Sequence, residues 1–281
     1  MSNNKITFNN SFMKMKRKMT IVPYGGLCNR LFFINSMNKY ARENELSLEC
    51  VWLMNEELYI NVYDLFDIDS DIISIKIYDT KKILPWIYQF FYKIFRRLNI
   101  FLINQLKFYD RKDIEKSNES FIANISTHHI VTGCQSFYNE YTENIFVIKD
   151  KYYKKADGVM LNCEKKKLVS IHVRRTDHSD AIKFSSDDKI YAIIEKEIKN
   201  KNKVFIACDD LNFKKKLVDI YGDCIITQNV LSVNRDSSIS IEYALIDLIC
   251  LSRGKVLYGS YNSTFSLFAA YLGGSRFVVI M

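Results

Sequence analysis

The sequence predicts an α/β protein built as two Rossmann-like halves facing a central cleft. Two patterns carry this. Near the start, a strand, a glycine turn, a helix and a second strand follow one another directly, which is the opening of a parallel sheet. From Leu168 onward strands and helices alternate regularly to the end, the mark of a doubly wound half. Composition agrees: 281 residues suffice for two domains, and 48% hydrophobic residues with only 9 Gly and 2 Pro supply cores rather than linkers. Disordered and collagen-like architectures are thereby excluded.

Residues 1–17 read as a flexible basic leader, and 18–165 as the first half. Met19 to Tyr24 is the first strand and runs into Gly25-Gly26. A helix follows, with Leu31, Ile34, Asn35, Asn38 and Ala41 on one face, and its charged end (Arg42, Glu43, Glu45) leads to a strand at Leu48 to Trp52. Tyr59 to Phe108 has no clear period and contains an aromatic, basic run, Ile83 to Phe101. Residues 108–130 look like a charged connection, His129 to Gly133 like another strand, and Lys149 to Lys167 like a domain boundary.

In the second half, 166–281, strands are expected at Leu168 to Val173, Val204 to Ala207, Cys224 to Thr227, Lys255 to Tyr258 and Phe277 to Ile280. Helices are expected near Asp187 to Lys199, Leu211 to Tyr221, Ser240 to Leu251 and Thr264 to Tyr271. Two such halves put a cleft between the carboxyl ends of their sheets, where open α/β sheets bind ligands.

The net charge of +8 favours anionic partners without choosing among them. No run of about 18 apolar residues occurs and the start lacks a signal peptide's apolar segment, so the reading is cytoplasmic. Ile83 to Phe101 is a candidate peripheral contact with the inner face of the membrane. The 7 cysteines, odd in number and scattered, fit a reducing compartment and read mostly as small buried hydrophobes.

Four stretches could carry chemistry. In Ile171-His172-Val173-Arg174-Arg175-Thr176-Asp177, an apolar strand ends in two arginines, whose forked guanidinium groups suit a diphosphate; Arg-Arg-x-Asp also makes ordinary surface ion pairs. Gly25-Gly26-Leu27-Cys28-Asn29-Arg30 lies between strand and helix, where glycines admit close backbone approach and the helix amino end favours anions, or where they form a plain turn. In Ser260-Tyr261-Asn262-Ser263-Thr264-Phe265-Ser266 the hydroxyls can cap a helix or bind phosphate. Asp247, inside the apolar helix YALIDLICL, is either paired structurally or reads a polar ligand. Asp67, Asp69 and Asp71 look like solvated acids in a turn rather than a metal site, and His128 and His129, adjacent on a strand, point to opposite faces.

The order G-G-L-C-N-R-L-F, H-V-R-R-T-D, V-F-I-A-C-D-D, D-L-I-C-L-S and S-T-F-S resembles the fucosyltransferase superfamily that holds the core α1,6-, nodulation-factor, α1,2- and protein O-fucosyltransferases. The motifs span Gly25 to Ser266, with none between about 55 and 165. The resemblance implies a GT-B fold, GDP-fucose as donor substrate, a glycan acceptor, inversion, and neither cofactor nor metal. It implies that Arg175 holds the diphosphate, that His172 and Arg174 line the same pocket, and that Asp247 reads guanine. Ser263, with Thr264 and Ser266, would contact phosphate; Gly25, Gly26, Asn29 and Arg30 would lie near the donor sugar. Asp209 and Asp210 would line the cleft.

Cys28 departs from the family's glycine, the α1,6 branch's glutamate beyond the arginines is missing, and the chain ends at Met281 on a strand. The base therefore stays open among Asp180, Asp177 and Asp210. The same machinery with another nucleotide sugar is the runner-up. A nucleic-acid-binding protein is a third reading, against which stands the lack of any recognised nucleic-acid module.

Overall fold

The short apolar runs of the first half condense around one central strand. In the computed structural model, which describes residues 18–82, 106–110, 128–134, 144–161, 163–164, 167–176, 179–230 and 232–281, that strand is β1 (Lys18–Pro23). The leader 1–17, the run Ile83 to Phe101 and Asp177 lie outside the described residues. Around β1 stand β2 (Ser47–Met54), β4 (Ser74–Asp79), β5 (Leu106–Asp110) and β6 (His128–Gly133), all parallel, in the order β4-β2-β1-β6-β5. Met19 sits opposite Leu48 on one side and His129 on the other. A short helix α2 (Val62–Leu65) and an antiparallel pair, β3 (Phe66–Ile68) with β7 (Phe146–Ile148), complete this half.

Helix α1 (Leu27–Glu43) follows β1 through the glycine turn and is buried on more than one side, since Phe33, Ile34 and Met37 are all fully enclosed. It is covered by the sheet on one side and by the second half on the other, where Phe32 meets Phe268 edge-on with ring centres 5.0 Å apart.

The second half holds β8 (Leu168–Val173), β9 (Lys203–Cys208), β10 (Ile225–Ile226), β11 (Val256–Ser260) and β12 (Arg276–Ile280), parallel, in the order β10-β9-β8-β11-β12. All six residues of β8 are buried, as a central strand covered on both faces requires. Its helices are α4 (Ser179–Phe184), α5 (Asp187–Lys199), α6 (Leu211–Tyr221), α7 (Ser238–Leu251) and α8 (Thr264–Gly273). In both sheets the first strand of the half is central, so the strand order reverses beside β1 and beside β8, the places where such sheets receive ligands.

Where the sequence suggests a charged boundary, the chain forms α3 (Asp150–Val159), and this helix docks on α7. Tyr152 is fully buried and its hydroxyl donates to Glu242 (3.0 Å), while Arg253 pairs with Asp157 at 2.6 Å. One apolar cluster runs from Met19 and Ile21 through α1 to Leu245, Phe268 and Leu257, so the two sheets share a core. The strand β4 and the helices α2 and α4 were not legible beforehand. In β4 the isoleucines are only partly buried and Tyr78 is exposed, so the strand has no strongly apolar face to announce it. Among the described residues no helix is long and apolar enough to cross a membrane.

Candidate functional site

An open cleft of about 990 Å³, counting space open to solvent, lies where the carboxyl ends of the two sheets meet. The start of α1, the ends of β8 and β9, one face of α7, the first residues of α8 and the segment between β10 and α7 all line it.

The glycine turn is shaped by Gly25, whose φ of 83° suits glycine and whose N–H donates to Glu57 at 2.8 Å. Gly26 and Asn29 line the cleft. Among the described residues the Asn29 side-chain oxygen is buried with no hydrogen-bond partner. Arg30 requires a correction, because it is fully buried under the turn and does not line the cleft. Its guanidinium donates to the Gly25 carbonyl and to Asn55 Oδ1 (both 2.8 Å) and to the Leu53 carbonyl, and lies 5.1 Å from the centre of the Trp52 ring. It holds the turn against β2. Cys28 is buried and faces the cleft; burial pushes its thiol far above the usual range.

The two arginines at the end of β8 part company. Arg174 lines the cleft, and its N–H donates to Ser260 Oγ at 3.0 Å. Arg175, expected to hold a diphosphate, does not line it: its guanidinium pairs with Asp187 at the start of α5 and lies 4.9 Å from the Phe213 ring centre. Its backbone N–H donates to Asp209 (2.6 Å), which also accepts from Thr176 Oγ1 at 2.8 Å and Thr176 N–H at 3.4 Å. Asp209 lines the cleft, whereas Asp210 caps α6, accepting from the N–H groups of Asn212 (2.9 Å) and Phe213 (3.1 Å). Asp180 is exposed in the first turn of α4 and does not line the cleft.

On α7, Ser240, Ala244 and Asp247 share one face at helical spacing and all line the cleft. Asp247 accepts from Gln228 Nε2 at 2.7 Å, and the Gln228 carbonyl accepts from Lys214 Nζ at 2.8 Å. Burial pushes the Asp247 carboxyl up to about 6; the Gln228 hydrogen bond and the Lys214 charge pull the other way. Ser240 is buried and, among the described residues, its hydroxyl has no partner.

At α8, Ser263 is the cap, accepting from the Ser266 N–H at 3.4 Å. Its hydroxyl lies 3.3 Å from His172 Nδ1, and that of Ser266 lies 2.7 Å from the same nitrogen. Neither serine lines the cleft, so the hydroxyl presented there is that of Thr264, beside Phe265. His172 also borders the cleft, with its ring centre 5.0 Å from that of Phe265. Burial, with the Arg174 charge adding to it, pushes its pKa down to about 3, so the ring is neutral at pH 7.

No protein-family model and no curated protein matches this sequence. Solved structures do match its fold. Fucosyltransferase NodZ from Bradyrhizobium matches with a TM-score of 0.57 at 14% identity, covering 90% of this chain and 92% of that one. POFUT1 in complex with GDP-fucose gives 0.53 at 11% identity, covering 94% of this chain and 98% of that one. An Arabidopsis thaliana FUT1 variant in complex with GDP gives 0.59 at 14%, covering 94% of this chain and 70% of that one.

The chain has a fucosyltransferase-like fold. The GT-B arrangement implied by the motifs is therefore present: two parallel sheets whose carboxyl ends face one cleft. Within that fold, sequence reasoning missed Arg235, which lines the cleft from the segment between β10 and α7. That segment has no hydrophobic period and no motif, so nothing in it signalled the role. For Ser240 a signal existed, namely its helical spacing from Asp247.

Proposed function

We propose that this chain is an inverting, metal-independent glycosyltransferase that moves fucose from GDP-fucose to a sugar hydroxyl. One observation carries the reading: the cleft places a half-buried carboxylate, a guanidinium and a helix amino end together, on a fold whose solved counterparts include fucosyltransferases bound to GDP or GDP-fucose.

In this reading Asp247 accepts from the ring N–H and the exocyclic amine of guanine, a pair that uracil lacks. Gln228 orients the carboxylate, and Lys214 fixes Gln228 from behind. Arg174 and the amino end of α8, with the Thr264 hydroxyl, face the diphosphate. As the bond from the sugar to phosphate breaks, negative charge gathers on the departing GDP, and these fixed donors stabilise it where other enzymes use a cation. The unpartnered Asn29 oxygen and Ser240 hydroxyl find their partners on the bound donor. His172 stays neutral and holds the serines that shape the start of α8.

The acceptor's proton is the weaker part of the chemistry. Asp180 and Asp210 stand away from the cleft, and Asp247 is committed to the base. Asp209 accepts three hydrogen bonds from Arg175 and Thr176, so its oxygens are engaged in bracing the turn after β8. Rate acceleration then rests on the leaving group, and the acceptor's proton passes to water in the open cleft as the new bond forms. A screen of GDP-fucose, GDP-mannose and UDP-sugars for nucleotide release tests the reading, with GDP-fucose expected to turn over fastest; preferred turnover of a UDP-sugar would replace it.

A further inference from the structure

Ahead of α7, residues 232–236 form a strap along the cleft that is tied down on the first half. The Tyr59 N–H donates to the Arg235 carbonyl at 3.1 Å, and Lys81 Nζ donates to the Asp236 carbonyl at 3.3 Å. Lys81 also lies over the Tyr59 ring, 3.7 Å from its centre, and the Tyr59 hydroxyl donates to Asp79 at 3.1 Å. Two consecutive backbone carbonyls are thus held by one aromatic–lysine pair from the opposite half. Arg235 itself lines the cleft, and a Cβ added to Gly26 would lie 4.0 Å from one of its terminal nitrogens.

Arg174 reaches the cleft from the end of β8 and Arg235 reaches it from this strap. We infer that Arg235 is the second guanidinium of a diphosphate clamp built across the cleft, and that Tyr59 and Lys81 position it there. This rests on the reading of the cleft as a nucleoside-diphosphate site. It replaces the adjacent pair suggested by the sequence, in which Arg175 is turned to Asp187 and Phe213. A clamp divided between a strand end and a strap brings two forked guanidinium groups to the diphosphate from separate chain segments. It also gives the two halves a shared hold on the ligand, because the first half supplies the tether for a cation carried by the second.

The test is a calorimetric titration of the full chain with GDP and with guanosine, which share the base and ribose and differ in the diphosphate. Arg235→Gln, an exposed change, is expected to weaken GDP at least about tenfold and to leave guanosine unaltered. Lys81→Ala should narrow the preference for GDP over guanosine by a smaller factor, and Lys81→Arg should restore it. Wild-type preference for GDP in Arg235→Gln overturns the clamp alone. If the wild-type chain binds no GDP, the nucleotide reading of the cleft falls as well.

Discussion

Arg174 and Arg175 are adjacent in sequence and opposed in space, as side chains leaving a strand end alternate. The motif made both visible, yet nothing in its spacing tells which one faces the cleft; that is decided by Asp187 and Phe213, which come from later helices and capture Arg175. Arg174→Lys keeps charge and loses the fork, so donor turnover is expected to drop at least about tenfold, equivalent to about 1.4 kcal/mol of transition-state stabilisation. Arg175→Gln should instead lower the urea midpoint and affect GDP affinity less than Arg174→Gln does; the reverse ranking contradicts the placement. Asp247 was legible as a carboxylate out of place in an apolar helix, and its partner Gln228 was not, being nineteen residues upstream in an aperiodic stretch. The carboxyl's folded pKa is raised to about 6, so the neutral form is the one favoured by the fold. Its contribution to stability is present below the ordinary carboxylate pKa and is lost as pH rises through about 6. Guanine binding needs the ionised form. GDP affinity should therefore weaken as pH falls below about 6, and Asp247→Asn should abolish that dependence while raising the melting temperature of the unliganded chain at pH 7.

At the scale of elements, the repeating strands and helices of the second half were readable because buried strands such as β8 are mostly apolar and helices α5 and α6 carry a clear period. The short α4 has one buried residue, Ala181, which is too little pattern to announce a helix. The fit between helices was not readable either. A Cβ on Gly273, near the end of α8, would lie 1.8 Å from the Ser252 carbonyl oxygen at the end of α7, backbone that cannot step aside. Since α7 carries Asp247 and α8 carries Thr264, this contact sets the spacing of two cleft walls. Gly273→Ala is expected to destabilise the chain by about 1–3 kcal/mol in urea denaturation, the usual range for overpacking, and to weaken GDP binding with it. Unchanged stability would mean that the helices separate freely there.

For the whole molecule, the pairing of two parallel halves followed from the strand and helix alternation, whereas their shared core did not, because α3 is highly charged in sequence and buries only Tyr152 and Ala156 against its neighbours. The proposed function depends on that union: the carboxylate on α7, the guanidinium at the end of β8 and the glycine turn after β1 can act on one ligand only if the halves stay in contact. Because Arg174 and the α8 amino end supply the positive potential, nucleotide binding is expected to survive chelation. The measurement that tests this most directly is a titration of the full chain with GDP and UDP at pH 7.5 in the presence of EDTA. The account predicts that GDP binds at least about tenfold more tightly than UDP and that Asp247→Asn removes the difference; equal affinities for the two nucleotides, or binding that appears only when a divalent cation is added, would contradict it.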